Sequence, residues 1–116
     1  MLFKYSITTA ANTPSTNKKK TVLKLLRGKI TQVIVVFPPG PSGLLHLQIF
    51  RSTRQLYPIN EDGDLSGDNI RFVFPDDYFL IAEPYQLEAY TWNEDDTFSH
   101  TLEIYISLSR SGVFIE

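Results

Sequence analysis

The chain has 116 residues, 42% of them hydrophobic and 13% aromatic, with a formal net charge of −2 and no cysteine. This is enough for one domain with a substantial core. The near-neutral charge gives no electrostatic case for nucleic acid or an anionic membrane surface, and the missing thiols exclude disulfides and thiolate chemistry and fit assembly in a reducing cytoplasm. No apolar run has the length of a membrane-spanning helix or of a signal-peptide core, so neither is expected.

In chain order, Leu2–Thr9 alternates Phe3, Tyr5 and Ile7 on one side, which predicts a first strand. The stretch Ala10–Lys20, A-A-N-T-P-S-T-N-K-K-K, has no strand pattern and reads as a polar linker. Together they suggest an N-terminal arm, residues 1–20, whose Phe3, Tyr5 and Ile7 need a partner surface. The remainder, 21–116, forms a single domain. Lys18, Lys19 and Lys20 lack the preceding glycines of a phosphate-binding loop and are expected to be a solvated flank.

Thr21–Leu26 predicts a short second strand. Next comes the organising pair, Lys29–Phe37 and Leu44–Arg51, joined by P-P-G-P-S-G. The first of these is apolar on both faces from Val33 onward, so it is expected to be covered on both sides. Pro38 and Pro39 cannot donate to a sheet and end it. The second alternates Leu45, Leu47 and Ile49 against His46, Gln48 and Phe50. Arg54–Pro58 is a brief strand, and Ile59–Asn69 a glycine-punctuated acidic loop. Ile70–Phe74 and Tyr78–Ala82 read as two strands turned at Pro75-Asp76-Asp77. Tyr85–Asn93 and Phe98–Ser109 complete the set, the latter with Leu102, Ile104, Ile106 and Leu108 inward. A tail, Ser111–Glu116, follows.

Strands of this length at intervals of about ten residues, with no stretch holding a helical period, predict an all-β fold. The expected architecture is a jelly-roll-like antiparallel β-sandwich of eight to nine short strands. Its predicted core contains Ile34, Val36, Leu45, Leu47, Ile49, Phe72, Leu87, Leu102, Ile104 and Ile106.

Chemistry-bearing patterns are sparse. Asn60, Asp62, Asp64, Ser66 and Asp68 alternate as calcium ligands do. The glycine and glutamate that an EF-hand needs at its sixth and twelfth positions are here Leu65 and Arg71, so a solvated turn is expected. His100 follows Asp95 and Asp96 closely enough for a base and its orienting carboxylate, but no activated nucleophile accompanies them. No catalytic residue, metal or cofactor is assigned. Tyr90 and Trp92 share the face opposite Leu87 and Ala89. With Tyr105 they form an exposed aromatic platform, able to stack on sugar or fill a partner's pocket, if the strand is regular; a bulge would instead re-aim Trp92 inward to cap the core.

The ordered motifs G-K-I-T-Q-V-I-V-V-F-P-P-G-P-S-G-L-L-H-L-Q-I, L-Y-P-I-N-E-D-G and W-N-E-D-D-T-F-S-H-T-L-E-I resemble small β-sandwich proteins found among tailed-bacteriophage structural genes. The resemblance runs from about Thr21 to Ser109. It implies a non-enzymatic virion component in many copies, such as a capsid-decorating, vertex or tail-associated protein. Such a component is assembled in the host cytoplasm, and its partners are itself and a capsid protein. The rival expectation is a carbohydrate-binding or adhesion module working through Tyr90, Trp92 and Tyr105. A third is a sandwich-fold enzyme using His100 with Asp95 or Asp96.

Overall fold

The computed structural model describes residues 1–110. Nine strands and no helix form among them: β1 (Leu2–Thr9), β2 (Lys19–Lys24), β3 (Gly28–Phe37), β4 (Leu45–Arg51), β5 (Arg54–Tyr57), β6 (Leu65–Ser66), β7 (Ile70–Leu80), β8 (Gln86–Asn93) and β9 (His100–Ser109). They build two antiparallel sheets packed face to face. Sheet A runs β1-β9-β3-β7 and sheet B runs β2-β8-β4-β5, with the two-residue β6 also on β4. This order is that of a ribbon folded on itself and rolled. β1 pairs with β9, β2 with β8 and β3 with β7, while the ribbon closes at the β4–β5 hairpin. That is the strand arrangement of a jelly roll.

The inner faces follow strand alternation. Leu45, Leu47 and Ile49 from β4, Leu87 and Ala89 from β8, and Leu102, Ile104 and Ile106 from β9 are all fully buried. Leu23, Ile30, Val33, Val35 and Phe37 complete this layer. At one end Thr9 Oγ1 of sheet A donates to Thr91 Oγ1 of sheet B at 2.8 Å, and Asn93 Nδ2 donates to Thr9 O at 3.2 Å. All three residues are fully buried, so the polar groups that close the roll satisfy one another.

Four sequence expectations change. The inward residues of β3 are Val33, Val35 and Phe37, while Ile34 and Val36 lie half-buried on the outer face. The strand is apolar on both faces yet covered on one. The expected turn at Pro75-Asp76-Asp77 lies inside one continuous strand, β7, paired to β3 across an irregularity at Ile30/Gln32. Because β7 is the edge of sheet A, Pro75 removes no donor that an inner strand would need. The acidic loop contains β6, whose Leu65 is buried against β4, so it is a tethered segment rather than a free turn.

The arm is the fourth. β1 is an edge strand of the protein's own sheet A, in register with β9 from Leu2↔Ser107 to Thr9↔His100. Ile7 is buried and Phe3 and Tyr5 pack on the core, so the three side chains already have their apolar surface. The Tyr5 hydroxyl donates to Lys24 O on β2, tying the two sheets together. The polar linker is strapped down as well. Asn12 N donates to Asp95 O at 2.8 Å, Thr13 and Asn93 exchange backbone hydrogen bonds at 3.1 and 2.9 Å, and Lys19 Nζ donates to Thr8 O at 2.6 Å. The tail Ser111–Glu116 lies outside the described residues.

Candidate functional site

Rolling the ribbon gathers four connections at one end: 10–18, 38–44, 67–69 and 94–99. Glu94 N donates to Leu44 O at 2.9 Å and Asn69 N to Pro38 O at 3.2 Å. Both histidines sit in this cluster. Separated by 54 positions in the sequence, they arrive there because His46 is the second residue of β4 and His100 the first of β9, each just after one of these loops.

His100 Nε2 is 2.7 Å from Asp95 Oδ2, so the expected imidazole–carboxylate pair is formed, and by Asp95. Asp96 turns away and accepts from its neighbour Thr97 Oγ1 at 2.8 Å. His100, followed by the N–H groups of Thr97 and Phe98, holds the Asp95 carboxyl below the usual carboxylate range. Asp68 does similar work for the glycine corner. Its Oδ1 accepts from Gly40 N at 2.8 Å and Ser42 N at 2.9 Å, which lowers its own pKa. Gly40 has φ +127°, and a Cβ there would stand 3.9 Å from the His100 ring. Asp68 thus ties loop 67–69 to loop 38–44, while the His100–Asp95 pair closes loop 94–99 beside them.

His46 lies on the outer face of sheet B. Its Nδ1 meets Asp64 Oδ2 at 2.5 Å. Glu94 Oε1 stands 2.5 Å from Nε2 without making a hydrogen bond to it. The ring stacks on its cross-strand partner Trp92, with centroids 4.9 Å apart and planes 5° apart. From the other side Lys18 Nζ lies 4.7 Å from the indole centroid and donates to Gln48 Oε1 at 3.1 Å. Trp92 therefore faces outward, with no bulge re-aiming it into the core, yet is only 8% exposed. Tyr90 is half-buried, edge-on to Phe50 at 5.2 Å and 82°.

Tyr105 does not join them. β9 belongs to sheet A, so Tyr105 looks out from the opposite side of the roll. There its hydroxyl donates to Glu103 Oε1 at 3.3 Å, and Lys4 pairs with the same carboxylate at 3.2 Å. The expected platform of Tyr90, Trp92 and Tyr105 is thus divided between two faces. Sequence reasoning could not bring it together or separate it, because sheet membership of successive strands is set by the roll.

The acidic-loop carboxylates also diverge: Asp64 goes to His46 and Asp68 to the glycine corner. Among the described residues no group of three or more His, Asp or Glu side chains is placed to hold a metal ion.

Two surfaces remain that the sequence did not single out. One is the trough over Phe50 on sheet B. The other is the outer face of sheet A, where the cross-strand row Tyr105–Ile34–Val73 is apolar and Phe79 stands further along β7. Val73 is 44% and Phe79 55% exposed. The chain matches no protein-family model, and no curated protein matches it.

Proposed function

We propose that this chain is a non-enzymatic assembly protein, a multi-copy component of a tailed-bacteriophage virion that acts by self-association and by docking on a capsid or tail protein. The observation that carries the reading is the outer face of sheet A. Three adjacent strands present Tyr105, Ile34 and Val73 side by side, with Val36 one step along β3 and Phe79 beyond. Val73 and Phe79 are exposed and the rest of the row is half-buried, an apolar surface of the kind that marks contact sites. The edge strand β7 beside it offers a second set of unpaired backbone groups. The jelly roll hosts viral capsid and lectin domains alike, so the fold is an analogy that supports the reading without selecting it.

The occupant of the face is a second copy of the chain. Lys4–Glu103 on one flank and Lys29–Asp77 on the other place both signs of charge around the apolar row, as a self-complementary two-fold contact requires. The docking role moves accordingly from Phe3, Tyr5 and Ile7, which the protein uses internally, to Ile34, Val73 and Tyr105. Light scattering tests this on the full chain. The wild type should run as an oligomer, and Val73→Asp should run as a monomer that still unfolds cooperatively. A wild type that is monomeric at high concentration, and that does not bind capsid particles, ends the reading.

A further inference from the structure

A second surface, on the opposite sheet, has the composition of a ligand site. Two depressions on the outer face of sheet B share Phe50 and Thr53 and so form one trough. One lobe, of about 380 Å³, lies between Lys18, Gln48, Ser52 and Tyr90. The other, of about 470 Å³, is bounded by Arg54, Gln55, Ile59, Glu61 and Asp62. Both volumes fall in the ~300–1,000 Å³ range of small-molecule sites.

The trough is held in shape before any ligand arrives. Its far wall is the β5–β6 connection, and the side-chain amides of Gln48 and Gln55 both donate to Gly63 O at 2.8 Å. The β4–β5 turn is pinned by Ser52 N, which donates to Glu88 Oε1 at 2.7 Å, and Glu88 is itself 5% exposed. Fixed walls reduce the ordering cost of binding.

We propose that this trough binds a neutral oligosaccharide, with at least one ring in each lobe. Four features select that class. Under Gln48, Phe50 and Tyr90 the floor is the face of the paired strands β4 and β8, so an occupant there meets side chains rather than free main chain. This disfavours an extended peptide, which binds by main-chain pairing at an edge. Phe50 and Tyr90, packed edge-on at 82°, supply apolar surface at the centre, suited to the C–H groups of a pyranose. Around it Arg54 and Lys18 donate, Glu61 and Asp62 accept, and Ser52 and Thr53 can do either. Sugar hydroxyls, each both donor and acceptor, match that mixture. The two carboxylates in one lobe oppose an anionic ligand such as a phosphate ester.

The site lies on the other sheet from the assembly face, and its test separates the two readings. The ¹⁵N-labelled full chain is titrated with cellohexaose, xylohexaose, chitohexaose, mannohexaose and maltohexaose while its amide NMR spectrum is followed. At least one should shift the Phe50, Thr53, Gln55 and Tyr90 amides saturably at millimolar concentration. Arg54→Ala, at an exposed position, should weaken that binding about tenfold without altering the rest of the spectrum. Val73→Asp should leave it unchanged, whether or not it alters mass. If none of these sugars moves those amides, or if the responding amides lie elsewhere, the proposal is overturned. It is equally overturned if Arg54→Ala, still folded, binds as the wild type does.

Discussion

The two outer faces of the roll started from similar sequence material and ended differently. Both place aromatic and apolar residues away from the core. On sheet B the chain then crosses its own face: Lys18 lies on Trp92, His46 stacks against it, and the β5–β6 connection is bonded through Gly63 to Gln48 and Gln55. On sheet A no such crossing occurs among the described residues, and Val73 and Phe79 stay in water. Outward alternation therefore does not mean exposure. What decides exposure is whether a later loop passes over the strand, and that is a property of topology.

The comparison can be broken most severely at the covered face. Trp92→Ala removes a large side chain together with its His46 stack and Lys18 contact, and should cost about 3–5 kcal/mol in urea unfolding. A loss under about 1 kcal/mol would mean that the indole is not covered. Ile104→Ala, in the layer common to both sheets, should cost about 2–5 kcal/mol, whereas Ile34→Ala, one strand away on the open face, should cost well under half as much. Equal losses at the two positions would show that β3 is covered on both sides after all.

Smaller effects sharpen the contrast. Lys18→Ala should lower stability by about 0.5–2 kcal/mol and raise the solvent accessibility of Trp92, seen as stronger acrylamide quenching. Quenching that does not change would remove Lys18 as a cover. The loop-rich end should respond to acid. Asp95 and Asp68 have lowered pKa values in the folded protein, from His100 and from backbone N–H groups respectively. Their contribution is therefore present above the unfolded carboxylate value of about 3.9 and is lost as pH falls through the lower folded values. Asp95→Asn should flatten the acid limb of the thermal midpoint against pH. An acid limb identical to wild type would take Asp95 out of the linkage.

Much was legible in the residues themselves. Period-two alternation placed Leu45, Leu47, Ile49, Leu87, Leu102, Ile104 and Ile106 in the core, because each strand is half-buried and its pleat sends alternate side chains to opposite faces. Turn residues separated the strands within a few positions except at Pro75-Asp76-Asp77, which lies inside β7, and the pair His100–Asp95 followed from short-range spacing. Register on β3 was not legible. With apolar residues at every position from Val33 to Phe37, the pattern carries no preference for one face, and only pairing with β7 and β9 chose Val33, Val35 and Phe37. The fate of β1 was hidden for a related reason. Phe3, Tyr5 and Ile7 announce a need for apolar surface, but whose surface supplies it depends on a contact about a hundred residues away, to β9. Which strands share a sheet, which loop crosses a face, and which aromatic side chains remain in water were likewise settled only when the ribbon rolled up. These are long-range contacts, and local sequence determines the shape of each strand without encoding its neighbour.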